Sequence, residues 1–361
     1  MGRGVTAERF LKPAWGVLRD GIAACAFPGA AAAVVLHGNR ISAIRGEGRF
    51  TYDQDSPDVM QDSIYDLASL TKVIATTSMA MLLYDRGKLD LEAPIAKFIP
   101  EFLAEGADER RRRRVTIRHL LEHSSGLPAY VKLYERASGK DGIIRATCSV
   151  PLQAEPGARA EYSDIGFIIL GALLERISGE SLDSFFAREI AGPLAMSTAR
   201  FCPPAEWHDD IPPTQIDEHY RKRLIQGEVH DENASAIGGV AGHAGLFASV
   251  RDVAIFAAAL LTGSGPFKRE TAELFTTRAS QPAGTSRALG WDTPSQPSQS
   301  GKYFGPRSYG HLGFTGTSLW IDPDRELAIV LLTNRTWPDA KSQVIKQVRP
   351  RFHNAVVECL R

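Results

Sequence analysis

The sequence contains little that would cross-link the chain or hold a structural metal ion. Its 361 residues include only four cysteines, and no two of them form a Cys-x-x-Cys pair. This scarcity argues against a zinc ribbon and against a disulfide scaffold, and it suits a reducing compartment. The four are Cys25, Cys148, Cys202 and Cys359.

Long apolar runs and a secretory leader are also missing. No window approaches about eighteen uninterrupted apolar residues, so the sequence predicts no membrane-spanning helix. The first residues, Met1 to Phe10, do not show a basic segment followed by an apolar one. We therefore expect a cytoplasmic protein.

An excess of charge of either sign is absent too. Lysine plus arginine and aspartate plus glutamate both number 42, which gives a net charge of zero. Nothing in this balance favours a nucleic acid or an anionic membrane as a partner. The five arginines Arg110 to Arg114 follow acidic residues, and we interpret them as part of a solvated loop.

What the sequence does contain is strand patterns near both ends and helical patterns between them. The strands and the terminal helices predict one antiparallel sheet built from both ends of the chain, with a helical lobe in the middle. The predicted elements are a helix over 6–26, a hairpin over 30–44 with a tight Gly-Asn turn, strands over 310–317, 318–322 and 326–334, and a final helix over 342–360 that Pro350 kinks or breaks.

A candidate nucleophile lies at Ser69-Leu-Thr-Lys72, where we predict one helix from about Ser69 to Asp85. Residues three apart share a helix face, so the hydroxyl and the amine would meet. A nearby cation favours an alkoxide, and free N–H groups at a helix start stabilise an oxyanion. The spacing alone is weak, because chance predicts roughly 0.8 such matches in this composition.

Tyr162 precedes a buried helix that begins near Ile165, and it is a candidate general base. That role requires a cation to lower its pKa from about 10 toward 7, which corresponds to about 4 kcal/mol. Lys72 could supply that charge. Simple packing of the tyrosine is the alternative interpretation.

His119-Leu-Leu-Glu-His123 matches a pattern found in some zinc peptidases and is a competing hypothesis. A metal site would need a longer helix and a third ligand, whereas this helix ends at once in Ser124-Ser-Gly126. We therefore favour a capped helix end and predict no cofactor. A loop rich in glycine and histidine spans 227–233 and 238–245. Its glycines predict tight turns and a backbone that closely approaches a neighbouring group.

Taken in order, Ser69-Leu-Thr-Lys72, Tyr162-Ser-Asp164 and His311-Leu-Gly313 resemble the three motifs of the serine β-lactamase/penicillin-binding-protein superfamily. The resemblance is to its branch of class C β-lactamases, D-alanyl-D-alanine carboxypeptidases and β-lactamase-like esterases, whose motifs are S-x-x-K, Y-x-N and K-T-G or H-T-G. Flanking segments are similar as well: 120–127, 242–249, 289–292 and 313–317.

The resemblance implies a single α+β domain of the β-lactamase/transpeptidase type over residues 1–361, with an α/β lobe at about 1–60 and 270–361 and a helical lobe at about 61–269. It implies Ser69 as nucleophile, with Lys72 and Tyr162 sharing proton transfer. The oxyanion hole would be the N–H groups of Ser69 and Phe314.

The resemblance also implies substrate-binding positions around the nucleophile. His311 would flank the substrate as a donor or a partial cation, beside Gly313. His243 and the loop at 230–233 would border the pocket, although packing explains them equally well.

Two positions depart from the family pattern in ways that concern the substrate. Asp164 stands where asparagine is usual, so an ionised side chain cannot donate to a substrate carbonyl, and it is expected to pair with Lys72. Leu312 stands where threonine or serine would bind a carboxylate, and His311 is only partly charged at neutral pH. These changes argue against efficient β-lactam or D-Ala-D-Ala recognition.

The leading hypothesis is therefore an acyl-enzyme hydrolase acting on a small carboxylic ester or a peptidoglycan-type amide, including peptidoglycan-derived compounds. The alternatives are a β-lactamase or D-alanyl-D-alanine carboxypeptidase, and a non-catalytic penicillin-recognising or partner-binding module. The oligomeric state is left open.

Overall fold

The computed structural model describes residues 10–36, 40–103 and 108–361. In chain order, its strands are β1 (Gly29–Leu36), β2 (Arg40–Gly48), β3 (Ile64–Asp66), β4 (Arg200–Phe201), β5 (Gln215–Asp217), β6 (Arg223–Ile225), β7 (Leu246–Ser249), β8 (Tyr309–Leu312), β9 (Ser318–Asp322) and β10 (Leu327–Thr333).

Eleven α-helices lie in the described ranges. They are α1 (Lys12–Ala23), α2 (Ser78–Asp85), α3 (Glu109–Arg112), α4 (Ile117–Leu121), α5 (Lys140–Cys148), α6 (Asp164–Ser178), α7 (Leu182–Phe186), α8 (Glu232–Ile237), α9 (Val250–Thr262), α10 (Arg269–Thr276) and α11 (Ile345–Cys359). No helix in these described ranges is long and apolar enough to cross a membrane.

A five-stranded antiparallel sheet in the order β2-β1-β10-β9-β8 forms the centre of the fold. The register of β1 and β10 runs from Ala30 opposite Thr333 to Leu36 opposite Leu327. The first and last strands of the chain, β1 and β10, therefore lie side by side in the sheet. The predicted α+β architecture is confirmed. The predicted Gly-Asn turn of the first hairpin lies outside the described residues.

Successive side chains of a strand point to opposite faces of the sheet. Both faces of this sheet are buried. Ala30, Ala32 and Val34 pack with the terminal helices α1 and α11. Ala31, Ala33 and Val35 belong to the larger core that continues into the helical part of the chain. The terminal helices thus cover one face, as predicted.

Helix α11 runs through Pro350 without a break. A proline has no N–H, so the carbonyl four residues earlier loses its helical donor. Gln299 supplies a replacement, since its Nε2 donates to the Lys346 carbonyl at 3.1 Å. Of the predicted kink or break at Pro350, the break is wrong, because the helix is continuous there.

The predicted helix after Ser69 is present, but it is not an α-helix throughout. Its first part, Lys72–Thr77, is a π-helix, and α2 continues from it. Thr76 Oγ1 donates to the Gly242 carbonyl at 2.7 Å, which ties this π-helical segment to the glycine-rich loop. Widened turns of this kind often occur at functional sites.

The arginine run is not entirely a solvated loop, so that interpretation needs correction. Arg112 is 2% exposed, lies in α3 and donates to the carbonyls of Phe102, Cys148 and Val150. Arg113 remains exposed and pairs with Glu109. The buried arginine supplies donors to three backbone carbonyls in two segments, one at Phe102 and one at 148–150.

Candidate active site

Ser69 lies directly after the short strand β3, at a strained turn. Ala68 has a φ of +48°, a value that non-glycine residues rarely adopt. The Asp66 carboxylate supports this turn, because its Oδ1 accepts the Ala68 N–H at 2.8 Å and its Oδ2 accepts the His230 N–H at 2.6 Å. The turn places Ser69 immediately before the first residue of the helix.

Two side chains donate hydrogen bonds to the Ser69 hydroxyl oxygen. Lys72 Nζ lies 3.1 Å from Ser69 Oγ, and Tyr162 OH lies 2.7 Å from it. Tyr162 immediately precedes Ser163, whose side chain caps α6 by accepting the Gly166 N–H. Two elements far apart in the sequence therefore meet at one oxygen atom.

Lys72 is fully buried and has an acceptor for each of its three N–H bonds. Besides Ser69 Oγ, these are Asp164 Oδ1 at 2.6 Å and the His243 carbonyl at 3.0 Å. Burial acts to lower the pKa of Lys72, but Asp164 and Tyr162 outweigh it, so the pKa is raised. The expected Lys72–Asp164 pair is present, and it holds the amine in its charged form.

Tyr162 is held in its protonated form. Burial and the Asp164 carboxylate raise the pKa of Tyr162 to about 12, although Lys72 and the hydrogen bond to Ser69 act in the opposite direction. The idea that Lys72 would lower this pKa toward 7 is therefore wrong for the free protein. Burial is the largest cause of the raised pKa and Asp164 adds to it, so the charge of Lys72 does not bring the pKa of Tyr162 down.

His243 and Asp231 form a pair behind Lys72. His243 Nε2 lies 2.8 Å from Asp231 Oδ1, while the His243 backbone accepts from Lys72. Burial alone would raise the pKa of Asp231, but His243 and the Ala234 N–H lower it to about 2. The glycine-rich loop thus positions the lysine through its backbone.

His311 lies on β8 with its ring 5.8 Å from the ring of Tyr162. Burial, with the nearby Lys72 and Arg287 cations, lowers the pKa of His311 to about 3. A carbonyl can only accept, so the 2.8 Å contact with the Leu312 oxygen places the proton on Nδ1. The expectation of a partial cation is wrong, because His311 is neutral with an unprotonated Nε2.

The β8–β9 turn brings the predicted oxyanion donor next to the nucleophile. A side chain at Gly313 would collide with Thr317 and lie 2.6 Å from the Leu67 carbonyl, so this close approach requires glycine. Within the described part of the chain, the N–H groups of Ser69 and Phe314 have no hydrogen-bond acceptor. Two free donors therefore flank one cavity.

The cavity has a volume of about 760 Å³. Of the residues that the sequence singled out, those that line it are Ser69, Tyr162, Asp164, His230, Asp231, Glu232, His243, His311, Leu312, Gly313 and Phe314. Lys72 lies beneath this surface, in contact with Ser69 and Asp164.

Three arginines that the sequence analysis did not select also line the cavity: Arg287, Arg335 and Arg349. The Arg287 guanidinium lies 5.4 Å from the centre of the Tyr162 ring and 3.7 Å from the Asp292 carboxylate. Arg287 stands just before the flanking segment at 289–292, which was the only available signal. Arg349 lies in the predicted final helix and Arg335 just after the last predicted strand, and neither belongs to a motif.

The histidines of the competing zinc hypothesis have other partners. His119 Nδ1 accepts the Thr116 N–H in a capping box, and His123 Nδ1 accepts the Ser163 N–H. Over the described residues, no group of three or more potential ligands could hold a metal ion. His123 instead packs between the rings of Tyr162 and Phe167.

The fold is similar to those of several solved structures. The structure resembles "EstCE1, a hydrolase with promiscuous acyltransferase activity", with a TM-score of 0.79, 21% identity and coverage of 98% of this chain and 99% of that one. At this identity the likeness concerns the fold.

Sequence comparison gives more similar relatives. A protein named "Putative D-alanyl-D-alanine carboxypeptidase" from Escherichia coli strain K12 is 33% identical over 76% of this chain and 69% of its own length. An "N-acetylmuramyl-L-alanine amidase" from Bacillus subtilis strain 168 is 32% identical over 86% of this chain and 78% of its own. The family model named Beta-lactamase matches residues 16–349. The chain belongs to the beta-lactamase family of serine hydrolases.

Proposed function

We propose that this protein hydrolyses a carboxylic ester or a peptidoglycan-type amide through an acyl-enzyme on Ser69. One observation carries the proposal: Lys72 Nζ and Tyr162 OH converge on Ser69 Oγ at 3.1 and 2.7 Å. The hydroxyl opens into a cavity large enough for a small substrate.

In the first step, Ser69 Oγ attacks the substrate carbonyl carbon, and the carbonyl oxygen becomes an oxyanion. The free N–H groups of Ser69 and Phe314 are the candidate donors for that oxyanion. One such donor typically contributes about 3 kcal/mol of transition-state stabilisation. The leaving group then departs with a proton, and water later releases the acyl group from Ser69.

The Ser69 proton needs an acceptor, and in the free protein both Lys72 and Tyr162 already hold theirs. Loss of one proton from the buried Lys72–Asp164 pair would free the amine to accept the Ser69 proton. Tyr162 then gives its own proton to the leaving group and regains one from Lys72, which returns the amine to its free form. We assign the base to Lys72 and the relay to Tyr162.

The names of the relatives support peptidoglycan-type amides as one substrate class. The neutral His311 and the apolar Leu312 favour esters over terminal D-Ala-D-Ala, because neither side chain supplies a positive charge for a carboxylate. A D-alanyl-D-alanine carboxypeptidase remains the second candidate, favoured by the name of the Escherichia coli relative.

The test compares wild type with Ser69→Ala on p-nitrophenyl butyrate, a muropeptide and nitrocefin. We expect Ser69→Ala to lose at least about 10³-fold in kcat on each compound that the wild type hydrolyses. Ser149→Ala, at an exposed site on the end of α5, is the matched control. Equal turnover by Ser69→Ala and wild type would refute the proposal, and binding without turnover would support a penicillin-recognising module.

A further inference from the structure

The two candidate oxyanion donors belong to different sheets. Ser69 follows β3, which pairs with β7 in a three-stranded sheet of order β3-β7-β4. Phe314 lies in the turn between β8 and β9, at one edge of the five-stranded sheet. In the ranges that the structure describes, no backbone hydrogen bond joins residues 64–69 to residues 309–318. Contacts other than strand pairing must therefore set the distance between the two N–H groups.

Two threonine hydroxyls connect the β8–β9 turn to the end of β3. Thr315 Oγ1 donates to the Asp66 carbonyl at 2.8 Å, and Thr317 Oγ1 donates to the Leu67 carbonyl at 2.9 Å. Both threonine side chains are fully buried. Because a hydrogen bond is stronger in a protein interior than in water, each hydroxyl holds the two backbone segments at a fixed distance.

Asp66 connects the same point to the nucleophile. Its buried carboxylate accepts the Ala68 N–H at 2.8 Å and so holds Ala68 at its strained φ of +48°. Ala68 immediately precedes Ser69, and Thr315 immediately follows Phe314. A short series of contacts, through the Thr315 hydroxyl and Asp66, therefore joins the two oxyanion donors.

The backbone of Thr315 is fixed to the central sheet at the same time. Its carbonyl accepts the Arg335 N–H at 2.9 Å and the Thr333 hydroxyl at 3.2 Å. Thr333 is the last residue of β10, in the five-stranded sheet. Thr315 thus has its backbone held by one sheet and its side chain held by the end of β3, beside Ser69 and Phe314.

Thr317 acts at the other end of the same turn. Its carbonyl accepts the Gly313 N–H at 2.8 Å, which closes the turn around Phe314. A side chain at Gly313 would collide with the Thr317 hydroxyl and lie 2.6 Å from the Leu67 carbonyl. The turn and the end of β3 are therefore in direct contact, and the Thr317 hydroxyl bonds across that contact.

We propose that Thr315 and Thr317 are positioning residues of the oxyanion hole. Their hydroxyls set the separation between the N–H groups of Ser69 and Phe314. Both donors must lie about 2.7–3.1 Å from the oxyanion to stabilise it, and a misplacement of about 1 Å costs about 10²-fold in rate. Neither threonine lines the cavity, so both act through the backbone rather than on the substrate. The inference rests on the proposed function, which assigns those two N–H groups to the oxyanion.

The test replaces each hydroxyl with a methyl group and keeps the shape of the side chain. Thr315→Val and Thr317→Val should each lower kcat for p-nitrophenyl butyrate by about tenfold or more and leave KM within about threefold of wild type, because the lost interaction acts in the transition state. Thr315→Ser and Thr317→Ser keep the hydroxyl and should keep most of the kcat. The control is Thr147→Val, which removes a buried hydroxyl bond to the Ile143 carbonyl within α5 and should leave kcat unchanged.

A second readout separates positioning from a general loss of stability. Butylboronic acid adds to a serine hydroxyl and forms a tetrahedral adduct that resembles the transition state. Its inhibition constant for the two valine variants should rise by the same factor by which kcat falls. Thr147→Val should lower the melting temperature at an unchanged inhibition constant.

The inference is overturned if the valine variants hydrolyse the ester as fast as wild type, or if the serine variants lose as much kcat as the valine variants. A rise in KM with unchanged inhibition by butylboronic acid would also overturn it. Failure of the proposed function would look different. The wild type would then hydrolyse no ester, or Ser69→Ala would hydrolyse it equally well.

Discussion

At the scale of single residues, the central finding is the protonation state around Ser69. A buried lysine and a half-buried tyrosine both donate to the nucleophile, and Asp164 stabilises the proton on each of them. Neither of the two groups that contact Ser69 Oγ is therefore a free base at neutral pH. Catalysis requires a proton to leave the Lys72–Asp164 pair, and this requirement makes the rate depend on pH.

The exchange Asp164→Asn tests that dependence. Removing the carboxylate leaves burial as the main influence on Lys72, so its pKa should fall. A charge within hydrogen-bond reach typically shifts a pKa by about 1–3 units. We expect the wild-type kcat/KM for p-nitrophenyl butyrate to rise with pH into the alkaline range, and the variant to show this rise at a pH lower by about one unit or more.

The control for this experiment is Asp141→Asn, at an exposed position in the first turn of α5. Its pH profile should match that of the wild type. If Asp164→Asn leaves the rise at the same pH, then Lys72 is not the base and the assignment of roles at this site is wrong.

The sequence predicted which residues form the site more accurately than it predicted their protonation states. Ser69, Lys72 and Tyr162 were selected from their motifs, and the structure brings them together. Their proton affinities depend on burial and on Asp164, which is separated from Lys72 by 92 positions in the chain. Motif spacing contains no information on burial, so the states of Tyr162 and His311 were predicted wrongly.

At the scale of elements, polar side chains fix several segments that apolar patterns do not explain. Arg112 joins α3 to the Phe102 carbonyl and to the end of α5. Gln299 completes α11 at Pro350. A run of arginines or an isolated glutamine gives no such signal in the sequence, because the partners are backbone carbonyls from distant segments.

Arg112→Met should therefore destabilise the protein, whereas the neighbouring Arg113→Met should not. The first change leaves three buried carbonyls without donors, and we expect a loss of about 3 kcal/mol in the free energy of unfolding. The second removes an exposed pair with Glu109 and should cost below about 0.5 kcal/mol. Urea unfolding followed by circular dichroism measures both, and equal losses would show that Arg112 is not an anchor.

At the scale of the whole molecule, the sheet built from both chain ends was predictable, since strand patterns stood near both termini. The interior also contains titratable groups in unusual states. Burial lowers the pKa of His230 to about 4, and burial with nearby cations lowers those of His311 and His353 to about 3. His123 is buried and its pKa is lowered as well.

These histidines make the stability fall in acid. The pKa of a histidine in the unfolded chain is about 6.5. Below that pH the unfolded chain binds a proton at each of these histidines, whereas the folded chain does not. Each histidine therefore lowers the free energy of unfolding by about 1.4 kcal/mol for each pH unit of acidification. Asp66 acts in the opposite direction. Burial raises its pKa to about 6, so below that pH the folded chain binds one proton that the unfolded chain does not yet bind. We expect the melting temperature to drop steadily from pH 6.5 to pH 4, and a flat profile would contradict the buried neutral histidines.

The account as a whole depends on a covalent intermediate at Ser69. Intact-mass spectrometry of the protein after brief reaction with p-nitrophenyl butyrate, quenched in acid, measures that intermediate directly. The account predicts a mass increase of one butyryl group that maps to the peptide containing Ser69 and is absent from Ser69→Ala. An adduct that persists in Ser69→Ala, or ester hydrolysis by wild type that does not depend on Ser69, would contradict it.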